Sequence, residues 1–88
     1  MEIKTIVYGS RFLRVFKKLP PELQKRLAEK ELIFRTNCFD SRLETHKLSG
    51  KWQGCWAFSV SHSHRVMFLF MESGQVGFVN VGDHSIYK

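Results

Sequence analysis

Acidic side chains are scarce in this sequence: 8 Asp and Glu stand against 14 Lys and Arg, for a formal net charge of +6 and a pI near 9.7. Such a surface attracts polyanions rather than repelling them. Cysteine is nearly absent too. Cys38 and Cys55 form no C-x-x-C pair, which argues against a zinc ribbon and gives no disulfide framework, so both are expected as reduced thiols. No long hydrophobic run exists. The longest, Val66 to Met71, falls far short of the roughly 20 residues that a bilayer-crossing helix needs. The opening MEIKTIVYGS carries no signal-peptide core either, and a soluble, cytoplasmic protein is the expectation. Low-complexity tracts and internal repeats are also missing.

What is present is enough for a core. Of 88 residues, 43% are hydrophobic and 14% aromatic, which predicts one packed domain spanning 1–88. The positive charge is concentrated early. Lys4, Arg11, Arg14, Lys17 and Lys18 face only Glu2 over the first eighteen positions. That bias points to a polyanion such as nucleic acid, or to an acidic protein partner.

Ile3 to Tyr8 is a β-branched and aromatic run stopped by Gly9, and reads as a strand. Ser10 fits a helix N-cap, with Phe12, Leu13, Phe16 and Leu19 at helical spacing until Pro20. Pro21 suits the first position of a second helix, which Leu23, Leu27, Ala28 and Leu32 carry to about Arg35. Thr36 to Gly54 lacks periodicity and reads as a connection. From Cys55 the period becomes two. A three-residue turn, His62 to His64, pairs Val60 with Val66, Phe58 with Phe68 and Trp56 with Phe70, and a turn at Ser73-Gly74 then pairs Phe68 with Val79, Val66 with Val81 and Arg65 with Gly82. The expected fold is α+β: two N-terminal helices on one face of a small, mainly antiparallel four-stranded sheet. The apolar face, Trp56, Phe58, Val60, Val66, Phe68, Phe70, Val79 and Val81, holds the helices, while Ala57, Ser59, Arg65 and Asn80 form an open platform.

The closing GDHSIYK leaves the sheet beside Arg65 and delivers His84 and Tyr87 to that platform, where His46, Lys47 and Lys51 from the connection can join them. Metal-independent RNA cleavage needs these residue types. A base takes the 2'-hydroxyl proton, an acid protonates the departing 5'-oxygen, and a cation meets the charge that builds on phosphorus. Arg11, Arg14 and Lys18 are candidate RNA contacts. His62 and His64 lack a third ligand at useful spacing and read as loop residues, so neither metal nor cofactor is expected.

The stretches HKLSGKWQGCWAFSV, HRVMFLF and VNVGDHSIYK, in this order after two basic helices, resemble the RelE/ParE superfamily of toxins from bacterial type II toxin-antitoxin systems, closest to its YoeB- and YafQ-like branch. The resemblance implies a microbial-ribonuclease-like fold and a ribosome-dependent mRNA endoribonuclease that cuts in the A site, inhibited by a cognate acidic antitoxin. It implies a transition-state role for Arg65, and places His46 where related toxins have a loop glutamate or histidine that acts as base and His84 near the residue that serves the leaving group. It leaves open which histidine is base and which is acid, and gives Tyr87 a role in stacking on or orienting the substrate base. The RelE branch proper has two lysines on the strand before the arginine. Ala57 and Ser59 stand there in this chain, which favours a histidine-based mechanism. A ParE-like inhibitor of DNA gyrase and a non-catalytic RNA- or ribosome-binding module are the alternatives.

Overall fold

The computed structural model describes residues 1–88. Its elements are β1 (Thr5–Tyr8), α1 (Ser10–Lys18), α2 (Pro21–Thr36), β2 (His46–Lys47), β3 (Trp56–Ser59), β4 (Arg65–Phe70) and β5 (Gln75–Gly82), with single 3-10 turns at Ser41–Leu43, Gly50–Trp52 and His84–Tyr87. No helix is long and apolar enough to cross a membrane.

The first helix starts one position earlier than Ser10 as a cap would have it. Gly9 holds the N-cap position, and its N–H donates to the Phe78 carbonyl at 2.9 Å. A Cβ at Gly9 would lie 2.9 Å from that same oxygen, so only glycine lets the chain turn this close to β5. Leu19 is extended and ends α1, and Pro21 opens α2 with Glu22 in its first turn, where a carboxylate suits the helix dipole.

The sheet has five strands in the order β1-β5-β4-β3-β2; β1 runs parallel to β5 and the other neighbours are antiparallel. The fifth strand is β2, inside the segment expected as a connection. Two residues are too few to carry an alternating pattern, which is why the sequence does not announce it.

The β3–β4 register is displaced by two residues from the expected one: Phe58 faces Val66 and Trp56 faces Phe68. A shift of two keeps every side chain on its face, so hydrophobic patterning cannot distinguish the registers. Polar bonds in the turn favour the longer loop. The Ser61 hydroxyl accepts from the backbone N–H of Ser63 and His64 at 3.3 and 3.2 Å, and Val60 N–H donates to the His64 carbonyl at 2.9 Å.

Between β4 and β5, Arg65 faces Gly82 and Val66 faces Val81 as expected, but Phe68 faces Phe78 rather than Val79. A β-bulge at this point leaves Val79 without an opposite number, and Phe78 takes its place in the core. Ser73 and Gly74 do form the turn, both with positive φ, at 49° and 80°.

Phe34 of α2 is the centre of the helix-side core, its ring 4.9, 5.0 and 5.5 Å from those of Phe58, Phe68 and Phe78. Phe12 and Leu27 complete the helix contribution. The opposite face of the sheet is not the open platform that its small and polar residues suggest. Ala57 and Met67 are fully buried, and Ser59 is only 6% exposed.

Candidate active site

The connection after α2 and the C-terminal turn close over that second face. The His84–Tyr87 turn is capped by Asp83, whose carboxylate accepts from Ser85 N–H at 2.9 Å. Ile86 then lies against β5 at Gly82, where any Cβ would meet its Cγ2 at 2.5 Å. From the other side, Trp52 Nε1 donates to the Tyr87 carbonyl at 2.7 Å. The tail is therefore tied down at both ends of its turn.

Arg65 sits at the start of β4 and is half-buried. Its Nη1 donates to the Ser61 and His64 carbonyls at 2.8 and 3.0 Å, and more weakly to that of His62 at 3.4 Å. Nε and Nη2 make no bond within the chain. One arm of the guanidinium holds the turn and the other remains available to a phosphate.

The Tyr87 hydroxyl is enclosed and has no hydrogen-bond partner. Burial raises the phenol's pKa, while the nearby Arg65 charge acts in the opposite sense. His84 is exposed, with its ring 6.2 Å from that of Tyr87, and it borders a shallow cleft of about 550 Å³ with His62, Ser63, Asp83 and Ser85. Hydrogen bonds from Ser85 hold the Asp83 carboxyl below its usual range, and the charges of His64 and His84 push the same way.

His46 and Lys47 separate. His46 lies opposite Ala57 and so shares the face of Arg65, but two strands away, about 10 Å across the sheet. Its Nδ1 is 3.0 Å from the Glu44 carbonyl. Lys47 lies opposite Trp56 on the helix-side face, its ammonium 5.5 Å from that ring. Lys51 rests 5.5 Å over the Trp52 ring, at the rim near the tail. Arg11, Arg14 and Lys18 are exposed at spacings of three and four on one side of α1. Of these, Arg11 lines a groove of about 470 Å³ that runs between α1 and the tail, past Asn80, Asp83 and Lys88.

Sequence reasoning missed Glu44. It has a left-handed backbone (φ 53°, ψ 39°), unusual for a side-chain-bearing residue, and its Oε1 accepts from the Ser59 hydroxyl at 2.9 Å. Ser59 in turn faces Arg65. No local signal in the sequence marks Glu44, because the left-handed turn, not strand alternation, aims its side chain. Trp52 was missed as well, because nothing local links it to a carbonyl 35 residues away.

The fold is that of the RelE/YoeB-type toxins. Over 92% of this chain and 99% of the other, it matches a YoeB/ParE toxin from Agrobacterium tumefaciens at a TM-score of 0.76 and 13% identity. YafQ from Escherichia coli strain BL21(DE3) matches at 0.67 and 18% identity, covering 93% and 94% of the two chains. An archaeal RelE in its RelE-RelB complex from Pyrococcus horikoshii matches at 0.73 and 14% identity, covering 94% and 96%. No protein-family model and no curated protein sequence matches the chain.

Proposed function

We propose that this protein is the toxin of a type II toxin-antitoxin system and acts as a ribosome-dependent mRNA endoribonuclease. The observation that supports this most is the meeting of Arg65, with a free guanidinium arm, the partnerless hydroxyl of Tyr87 and the adjacent ring of His84. A purely structural cluster would have satisfied that hydroxyl.

In the proposed reaction a carboxylate takes the proton of the ribose 2'-hydroxyl, O2' attacks phosphorus, and the P–O5' bond breaks. His84 gives its proton to the departing O5', so the products are a 2',3'-cyclic phosphate and a 5'-hydroxyl. Arg65 meets the charge on the equatorial oxygens, and Tyr87 orients the substrate. Glu44 is better placed as the base than His46, because its carboxylate is held by Ser59, which faces Arg65 across the ladder, whereas His46 lies at the sheet edge. Lys51, Arg11, Arg14 and Lys18 supply phosphate contacts, Arg11 from the wall of the groove, while Lys47 lies on the opposite face of the sheet from Arg65.

An acidic antitoxin is the proposed protein partner. The basic surface suits it, and so does an apolar groove of about 410 Å³ between α1 and α2, bordered by Tyr8, Phe12, Leu13 and Leu32. The RelE of Pyrococcus horikoshii was solved with its RelB.

Primer extension on a defined message in a reconstituted translation reaction tests the nuclease. Wild-type protein is expected to cut at A-site codons, with Arg65→Ala and His84→Gln inactive while folded. Cleavage by a soluble Arg65→Ala protein at the wild-type rate would remove Arg65 from the chemistry. An uncut message with ribosome binding retained would make the protein a binding module.

A further inference from the structure

Ser59 is the only polar residue in the buried set, and that is unexpected for a strand whose neighbours on the same face are Ala57 and, across the ladder, Met67. Its hydroxyl has one partner, Oε1 of Glu44 at 2.9 Å. Glu44 itself is exposed, so the bond reaches from inside the sheet to a surface carboxylate. We propose that Ser59 is a positioning residue, and that its buried hydroxyl fixes the Glu44 carboxylate in the place from which it removes the 2'-hydroxyl proton. The inference rests on the nuclease reading given above.

The surroundings of Glu44 point the same way. The Ser41–Leu43 turn ends on Glu44, whose N–H donates to the Ser41 carbonyl at 3.3 Å, and Asp40 caps that turn by accepting from Arg42 N–H at 2.9 Å. Thr45 Oγ1 anchors the next residue on the Cys38 carbonyl at 2.6 Å. The left-handed backbone that results is strained for a side-chain-bearing residue and persists only where the surroundings impose it. It directs the Glu44 side chain back over β3. Ser59 and Arg65 face one another across the ladder, and directly opposed side chains on one face lie about 5 Å apart. Glu44, Ser59 and Arg65 therefore form a short line across the sheet, with the base at one end and the cation at the other. A lysine at position 59 would put a second cation in that line; a serine puts a donor for the carboxylate there.

A double-mutant cycle under single-turnover conditions on programmed ribosomes tests this. Glu44→Gln is expected to slow cleavage by about 10²-fold or more, as loss of a general base does. Ser59→Ala is expected to slow it about tenfold or more through misplacement of the carboxylate, with the ribosome concentration for half-maximal rate unchanged. In the Glu44→Gln background Ser59→Ala is expected to cost less than about twofold, because the group it positions is already disabled. Ser59→Cys, nearly isosteric but a poor donor, guards against a packing artefact and should match Ser59→Ala. An equal loss from Ser59→Ala in both backgrounds would show that the hydroxyl serves the fold and overturn the proposal, as would full activity of Ser59→Ala. A wild-type protein that leaves the message whole would overturn the nuclease reading itself, and this inference with it.

Discussion

Replacing Tyr87 with phenylalanine tests the site without touching its shape. The hydroxyl is enclosed and bonds to nothing, and a buried polar group left in that state costs about 1–3 kcal/mol. Tyr87→Phe removes the cost and keeps the ring, which the Trp52 bond holds through the backbone carbonyl rather than the side chain. If only about 1 kcal/mol is recovered, the melting temperature of a domain of this size rises by about 4–8 °C. Calorimetry at neutral pH measures this directly. The alkaline limb provides a second check. The folded-state pKa of Tyr87 is raised above the ordinary 10.0, so its contribution is complete below about pH 10 and is lost as pH rises through the folded value. The variant should lose less stability over that range, although Tyr8, raised by burial and by Glu31, keeps part of the limb in both proteins. A Tyr87→Phe protein that melts lower than wild type would refute the reasoning, because it would mean that the hydroxyl has a partner in solution.

Other expectations follow from the packing and charge. Phe34→Ala should destabilise by about 3–5 kcal/mol in denaturant titration, since its ring contacts Phe58, Phe68 and Phe78 at once and the remaining helix contacts cannot close the gap. Asp40, held at a pKa of about 2 by the Arg42 guanidinium, contributes stability above the usual carboxylate value of 3.8 that is lost as pH falls toward 2; Asp40→Asn should flatten that part of the acid unfolding curve. Arg11→Glu combined with Arg14→Glu should weaken ribosome association and lower its salt dependence, while Lys47→Glu, on β2 at the opposite edge of the sheet from α1, should leave both near the wild-type values in filter-binding titrations.

The helices and the faces of β3 and β4 were legible because their signals are local: the Pro20-Pro21 break, the period-two run from Cys55, and the turn residues Ser73 and Gly74. The β3–β4 register was not, since a slip of two residues preserves the hydrophobic pattern and the choice rests on bonds between Ser61, His64 and Arg65. The platform looks open in the sequence because Ala57 and Ser59 resemble surface residues, and what buries them arrives from distant parts of the chain. Arg65, His84 and Tyr87 were found together because the Arg65–Gly82 pairing was correct and fixes where the tail leaves the sheet. Glu44 escaped because a left-handed turn aims it, and no propensity scale marks a left-handed glutamate.

The bulge at Val79 separates the hairpin tip from the end of the ladder that carries Arg65 and Gly82. Pairing near the tip is offset by one residue, and the extra residue absorbs the offset before the tail departs. A relative with one residue fewer in this hairpin could straighten the ladder and still deliver its tail to the same place, so alignments of such chains should allow a gap at this point. The exposed tip around Glu72 and Ser73 is correspondingly the place to attach a label or graft a peptide, because a change of length there can be taken up before it reaches the arginine.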